Sequence, residues 1–166
     1  MSTVIRPATR ADVPQILAFI RGLAAYEREP GAVTATEADL VRDGFGANPC
    51  YFCLMAEHNS APAGFAFYFF NYSTWMGRPG LYLEDLFVLP EFRGLGIGKA
   101  LLERVAAIAV KKGCPRLQWE VLDWNTPAIE FYKAMGAEFL DEWRNVRVTG
   151  AALHRLAGVR ESEAAQ

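Results

Sequence analysis

Pro90-Glu-Phe-Arg-Gly-Leu-Gly-Ile-Gly-Lys99 is the stretch from which the rest of the chain is read. Glycines stand at 94, 96 and 98, directly after an apolar run (81–89) and at the start of a helical one (98–112). Glycine lets successive backbone N–H groups turn toward one point, and a helix N-terminus adds partial positive charge there, so the loop suits a pyrophosphate. A P-loop needs Gly where Arg93 stands and Ser or Thr where Ala100 stands. A dinucleotide fingerprint needs Gly in place of Lys99, and it follows the first strand of a sheet rather than the fourth. Spacing removes both. What remains is Arg-x-x-Gly-x-Gly, Arg93 to Gly98. A ligand-free glycine-rich turn has the same composition, so residues elsewhere must decide between them.

Outward from the loop, Leu101, Leu102, Val105, Ile108 and Ala109 recur at helical spacing and Gly113 closes the helix. A strand at 116–122 follows, then a helix from Thr126-Pro127 to Met135, a strand at 146–149 and a helix at 151–156. Upstream, 3–6 is a short strand. Thr9 and Asp12 form a variant capping box ahead of a helix over 10–27, which carries Val13, Ile16, Leu17, Ile20 and Leu23. Thr36 caps a second, shorter helix to Gly44. Three consecutive strands (51–57, 64–74 and 81–89) lead into the loop, with turns at 59–62 and 76–80. Consecutive strands followed by βαβ units predict an α/β domain over 1–160: one mixed, twisted sheet of six to seven strands with helices on both faces. Residues 161–166 read as a frayed polar tail.

The 166 residues are 52% hydrophobic and 22% charged, enough for a buried core. Seventeen Lys and Arg against nineteen Asp and Glu give a net charge of −2, which argues against binding nucleic acid through bulk positive charge. Two histidines are too few for a histidine metal cluster, so no metal is expected. The longest charge-free run, 59–77, contains a proline and several polar residues and does not read as a membrane helix. No export signal precedes it, and three cysteines fit a reducing, cytoplasmic setting. Cys50-x-x-Cys53 has no second pair and reads as packing thiols rather than a redox or zinc site.

The strand before the loop carries Glu84 and Asp85 side by side among apolar residues. Adjacent strand residues face opposite sides, so one acid is expected to enter a site and the other to be paired elsewhere. With this pair included, Arg93–Gly98 resembles the pyrophosphate loop of the GNAT N-acetyltransferases. Arg6-Pro-Ala-Thr9, Asp43-Gly-Phe-Gly46, Tyr82-Leu-Glu-Asp85, Phe92-Arg-Gly-Leu-Gly-Ile-Gly98 and Phe131-Tyr-Lys133 together resemble the diamine acetyltransferases, over about residues 3–157. Tyr72-Ser-Thr-Trp-Met-Gly-Arg78 and Val121-Leu-Asp-Trp-Asn125 look more like the thialysine Nε-acetyltransferase branch. The polyamine branch carries an acid followed by Pro where Ser73-Thr74 stand. Hydroxyls there suit an amino-acid acceptor rather than a second ammonium.

The resemblance implies a GNAT fold, acetyl-CoA as cosubstrate, a small-molecule amine as acceptor and a homodimer. It places the cosubstrate against Leu86, Phe87 and Val88, against Arg93, Gly94, Leu95, Gly96, Ile97, Gly98 and Lys99, and against Asn125, Thr126, Pro127 and Ala128. It places the acceptor near Tyr26, Glu27, Ser73, Thr74, Trp75, Glu84, Glu120 and Glu142. Amine attack on a thioester is direct acyl transfer and needs only positioning, a base and an acid. An alkyl ammonium with a pKa of about 10.4 leaves about one molecule in 2,500 as free amine at pH 7, so a base is useful. Glu84, acting through a water, is the expected base. Tyr132 is the acid that the resemblance implies toward the departing thiolate. Polyamine acetylation, protein-lysine acetylation and a non-catalytic CoA-binding module are the alternatives.

Overall fold

The computed structural model describes residues 2–158, so the tail expected at 161–166 lies outside the described residues. These residues gather into two compact units, one running to Leu122 and the other starting at Asp123.

The first unit is built on a five-stranded sheet in the order β1-β2-β3-β4-β5: Thr3–Pro7, Phe52–His58, Ala61–Ser73, Arg78–Val88 and Leu117–Gln118. The first four strands are antiparallel neighbours and β5 runs parallel to β4, so the sheet is mixed. Helix α1 (Val13–Tyr26) and α2 (Glu37–Gly44) precede β2, and α3 (Ile97–Lys111) links β4 to β5. Strand alternation assigns the two faces. Tyr51, Cys53, Met55, Phe65 and Phe87 form one core with Val13, Ile16, Leu17 and Phe19 of α1 and Leu40 of α2. Leu54, Ala56, Ala66, Leu81 and Leu83 are buried on the opposite face, where α3 brings Ile97, Leu101, Leu102 and Val105. Gly22 lets α1 come down on β4: a Cβ there would stand 3.0 Å from the Phe87 ring.

Polar contacts fix the entry to α1. Asp12 accepts from the Thr9 backbone N–H at 2.7 Å, completing the capping box, and pairs with Arg6 at 2.8 Å. Arg6 also reaches Glu57 on β2 at 2.6 Å, so one guanidinium ties β1, β2 and the start of the helix together. The Arg6 guanidinium beside Asp12 holds its carboxyl well below the ordinary range.

The sheet has five strands rather than six or seven. The segment expected as a strand at 146–149 is irregular, and Val146 is 90% exposed. Alternating Val146 and Val148 stabilise a strand only where one face is covered, and Val146 gains no such burial. The strand expected at 116–122 shrinks to two residues that pair only with Leu81 and Tyr82. β4 carries a bulge directly after Tyr82 and Leu83, and a bulge bends its strand away from a straight partner. The turn expected at 76–80 closes earlier, because Arg78 already pairs with Ser73 and Gly80 lies within β4 opposite Asn71. A Cβ on Gly80 would collide with the Asn71 side chain.

The second unit holds α4 (Thr126–Ala134) and α5 (Gly150–Leu156). Asn125 is the N-cap of α4 and Pro127 lies in its first turn, where a missing N–H costs nothing. Among the described residues no helix is long and apolar enough to cross a membrane.

Candidate functional site

The glycine loop adopts the conformation its sequence requires. Gly94 and Gly96 have φ of +78° and +77°, a region that residues with a side chain enter at a cost. Ile97, buried to 2%, pins the first turn of α3 to the core, and Leu95 between the glycines stays half exposed. Cβ atoms built on Gly94 or Gly96 would meet nothing within 4 Å, and one on Gly98 would make only an ordinary contact with Val88. The protein's own packing therefore does not demand three glycines. Positive φ accounts for Gly94 and Gly96, and the open space in front of the helix N-terminus is of the kind that takes an anion such as a pyrophosphate.

The backbone leading into this cradle is open as well. β5 pairs with β4 only at Leu81 and Tyr82, so Leu86, Phe87 and Val88 have no strand partner on that edge among the described residues. On the other edge they pair with Ala66, Phe65 and Gly64. A Cβ on Gly64 would strike the Phe87 carbonyl, so β3 approaches closely there. Apart from the Val88 carbonyl, which accepts from Arg93, the edge away from β3 has no strand partner among the described residues. An edge of that kind running into an anion cradle suits an extended, amide-bearing arm ending in a pyrophosphate.

The cations of the loop are already engaged. The Arg93 Nε donates to the Val88 carbonyl at 3.1 Å, and its guanidinium lies 4.8 Å from the Tyr26 ring centroid and 5.9 Å from that of Phe87. Arg93 thus clasps the loop to the end of α1. Lys99 sits 3.6 Å from Glu103 on the surface of α3, a weak solvated pair.

The acids are arranged differently from the alternation expected of them. Between Phe67↔Asp85 and Tyr68↔Leu83 the β3–β4 register skips one residue, and Glu84 is that residue. It lines a cavity of about 450 Å³ with Phe67 and Phe69 of β3, Tyr51 and Cys50, and Ala35, Asp39, Leu40 and Asp43 on the α2 side. Asp85, opposite Phe67, belongs to the same face. The two acids therefore share a face, because a bulge re-aims the side chain it inserts. Burial first, then the charges of Glu84 and Glu27, push the Asp85 carboxyl up to about 7. Burial also raises Glu27, at the end of α1.

Two acids of the cavity lining, Asp39 and Asp43, belong to an ion triad with Arg42. Arg42 holds Asp43 at 2.6 Å and Asp39 at 2.9 Å, so two carboxylates and one guanidinium face solvent as a net single negative charge. The Tyr51 hydroxyl donates to the Leu40 carbonyl at 2.6 Å and its ring stacks on Phe67 at 4.1 Å, making a rigid aromatic floor.

Of the residues expected around an acceptor, only Glu84 lines this cavity. Glu120 accepts from the Tyr82 hydroxyl at 2.9 Å. Ser73 is buried at the end of β3, where its Oγ accepts the Met76 N–H and closes the hairpin. Thr74 and Trp75 form the hairpin tip, and Trp75 is 91% exposed. In the second unit Tyr132 is buried on α4 with its ring 5.3 Å from Phe131, Thr126, Pro127 and Ala128 form the first turn, and Glu142 is exposed. Cys53 is buried and its thiol is raised by burial, whereas Cys50 is exposed rather than packed. Sequence reading missed Asp39, Asp43, Tyr51, Phe67 and Phe69 as cavity residues. Asp39 and Asp43 stand four apart on one helix face, but a solvated helix has the same pattern.

The Acetyltransferase (GNAT) family profile matches residues 17–137. Thialysine N-epsilon-acetyltransferase of Bos taurus is 46% identical, over 93% of this chain and 97% of its own length. Spermidine/spermine N(1)-acetyltransferase-like protein 1 of Homo sapiens is 43% identical over 80% of this chain, which spans only 20% of that larger protein. Among solved structures, an integron cassette protein of V. cholerae superposes with a TM-score of 0.80 at 29% identity, covering 95% of this chain and 98% of its own. AAC(6')-Iy, in complex with the bisubstrate analog CoA-S-monomethyl-acetylneamine, gives a TM-score of 0.73 at 22% identity, over 90% of this chain and all of its own, which establishes the fold. The chain belongs to the GNAT acetyltransferase family, and it is an acetyltransferase.

Proposed function

We propose that this enzyme moves the acetyl group of acetyl-CoA to the side-chain amine of thialysine or a lysine-like amino acid. The observation that carries the proposal is Glu84. A bulge directs this residue into a cavity floored by Tyr51, Phe67 and Phe69, on the strand that runs on to the glycine cradle. A carboxylate over aromatic rings attracts an alkyl ammonium and accepts its proton, and the rings pack the methylene chain. Acetyl-CoA supplies an acyl group already activated as a thioester. The backbone N–H groups of Leu86–Val88 polarise the acyl carbonyl, and the loop holds the pyrophosphate. Glu84 takes the amine's proton through a water, and the family resemblance assigns to the Tyr132 hydroxyl the proton that the departing thiolate needs.

The Arg42 triad favours an amino acid over a polyamine. A polyamine carries a second ammonium and gains most from unpaired carboxylates, whereas Arg42 holds both Asp39 and Asp43. An amino acid asks less of them, because its α-ammonium already carries its own carboxylate beside it. Three relatives at 43–46% identity bear the name thialysine N-epsilon-acetyltransferase, which supports the same acceptor. Polyamine acetylation remains the second reading, favoured by those two aspartates and by the human spermidine/spermine-named relative.

The test is thiol release from acetyl-CoA with thialysine, lysine, spermidine and a histone-tail peptide at equal concentration. Faster release with thialysine is expected. Faster release with spermidine refutes the acceptor assignment and leaves the chemistry standing. Light scattering tests the dimer that the resemblance implies, and a single-chain mass refutes it.

A further inference from the structure

The bulge that turns Glu84 into the cavity leaves Asp85 beside it on the same face, half-buried opposite Phe67. Nothing in direct acyl transfer calls for a second acid there, and two neighbouring carboxylates in a half-dry site repel each other. From this geometry we infer that Asp85 is a positioning residue that acts through Glu84: its proton sets whether the adjacent pair presents one negative charge or two to the acceptor ammonium. The inference rests on Glu84 being the base.

The groups around Asp85 determine what its proton does. On β4 these are Glu84 and, further along, Tyr82, whose hydroxyl is taken up by Glu120. From the end of α1 comes Glu27, and Arg93 lies over the neighbouring Tyr26 and Phe87 rings. From β2 comes the buried Cys53 thiol, itself raised in part by Asp12 and Asp85. The charges that act on Asp85 are those of the carboxylates Glu84 and Glu27, while the Arg93 guanidinium is spread over two aromatic faces. Asp85 therefore keeps its proton into the neutral range, and near pH 7 the pair switches.

Below the switch Asp85 is neutral and Glu84 alone faces the ammonium. Above it the second charge adds to the attraction on the acceptor cation. The proton then passes from the acceptor nitrogen to water and from water to a Glu84 oxygen. The freed lone pair forms the C–N bond as the C–S bond breaks, and the second proton shed by the nitrogen ends on the departing CoA thiolate. Asp85 neither gives nor takes a proton in that step.

The test is the pH profile of kcat/KM for the acceptor between pH 6 and 9, at saturating acetyl-CoA, in wild type, D85N and E84Q. The wild-type profile should rise through pH 7 more steeply than the free-amine fraction. D85N, isosteric and neutral throughout, should match wild type near pH 6 and fall about fivefold below it at pH 8.5. An equal loss at every pH means a packing role only and overturns the inference. E27Q supplies a second readout if D85N fails to fold, because removing a like charge should move the wild-type inflection to lower pH. An unmoved inflection also overturns the inference. Full activity of E84Q at every pH would sink the base assignment instead, a result that neither other variant can mimic.

Discussion

Asp85→Asn should stabilise this protein, and only at neutral to alkaline pH. Asp85 ionises near 7 in the folded chain against an ordinary value of 3.8. Between those values the folded state binds a proton that the unfolded state has lost, so unfolding free energy falls as pH rises. The full cost is reached above pH 7 and vanishes below pH 4. About three pKa units at 1.36 kcal/mol each give a ceiling of about 4 kcal/mol. Asparagine has nothing to ionise, so the variant escapes this cost. The clean quantity is the change in the mutant-minus-wild-type difference from pH 5 to pH 8. Packing differences between acid and amide cancel in it, and two units of the window remain, about 3 kcal/mol at most. For a chain of this length that corresponds to a midpoint rising by about 5–10 °C relative to wild type at pH 8. Thermal melts of both proteins at the two pH values measure it. A difference that stays constant with pH, or that shrinks as pH rises, refutes the claim that Asp85 is held protonated by burial and like charges. Stabilisation at alkaline pH together with slower acetyl transfer there would mark Asp85 as a site where function costs stability.

Other perturbations separate the parts of the site. Gly96→Asp places a side chain at φ +77° and a negative charge in the cradle, so acetyl-CoA binding should be lost by calorimetry while the fold persists; retained affinity would mean that the loop does not hold the pyrophosphate. Tyr132→Phe should lower kcat by about a hundredfold while leaving acetyl-CoA affinity within about threefold, and equal losses in both would remove its role as acid. Arg42→Ala frees Asp39 and Asp43, so the preference for thialysine over spermidine should narrow by about threefold in kcat/KM; an unchanged ratio would detach the triad from acceptor choice.

The fold was legible where local chemistry and burial agree. The Thr9–Asp12 box, the apolar stripe of α1, the glycine loop and the Pro127 start of α4 are short-range signals, and each marks the element it should. Reading failed at 146–149, where an alternating pattern met no surface to cover it, and at β5, where pairing depends on how far its neighbour stays straight. Neither condition is written in the segment itself. The length of a strand at a sheet edge belongs to its partner as much as to its own residues.

The site follows the same division. Glycines at 94, 96 and 98 announce an anion cradle because only backbone conformation is at stake, and Gly94 and Gly96 are found with positive φ. Glu84 stood out as an acid in an apolar strand. Asp85 was misassigned because strict alternation sends neighbours to opposite faces. One extra residue in β4 cancels that rule: opposite Phe67 and Tyr68 stand three residues, 83 to 85, instead of two, and both acids come to one side. No propensity in Leu83-Glu84-Asp85-Leu86 forecasts this, since the bulge is a property of the pairing. The two acids read from sequence as one functional and one structural residue. Placed on one face they are a coupled pair, and the charge they offer an ammonium depends on both.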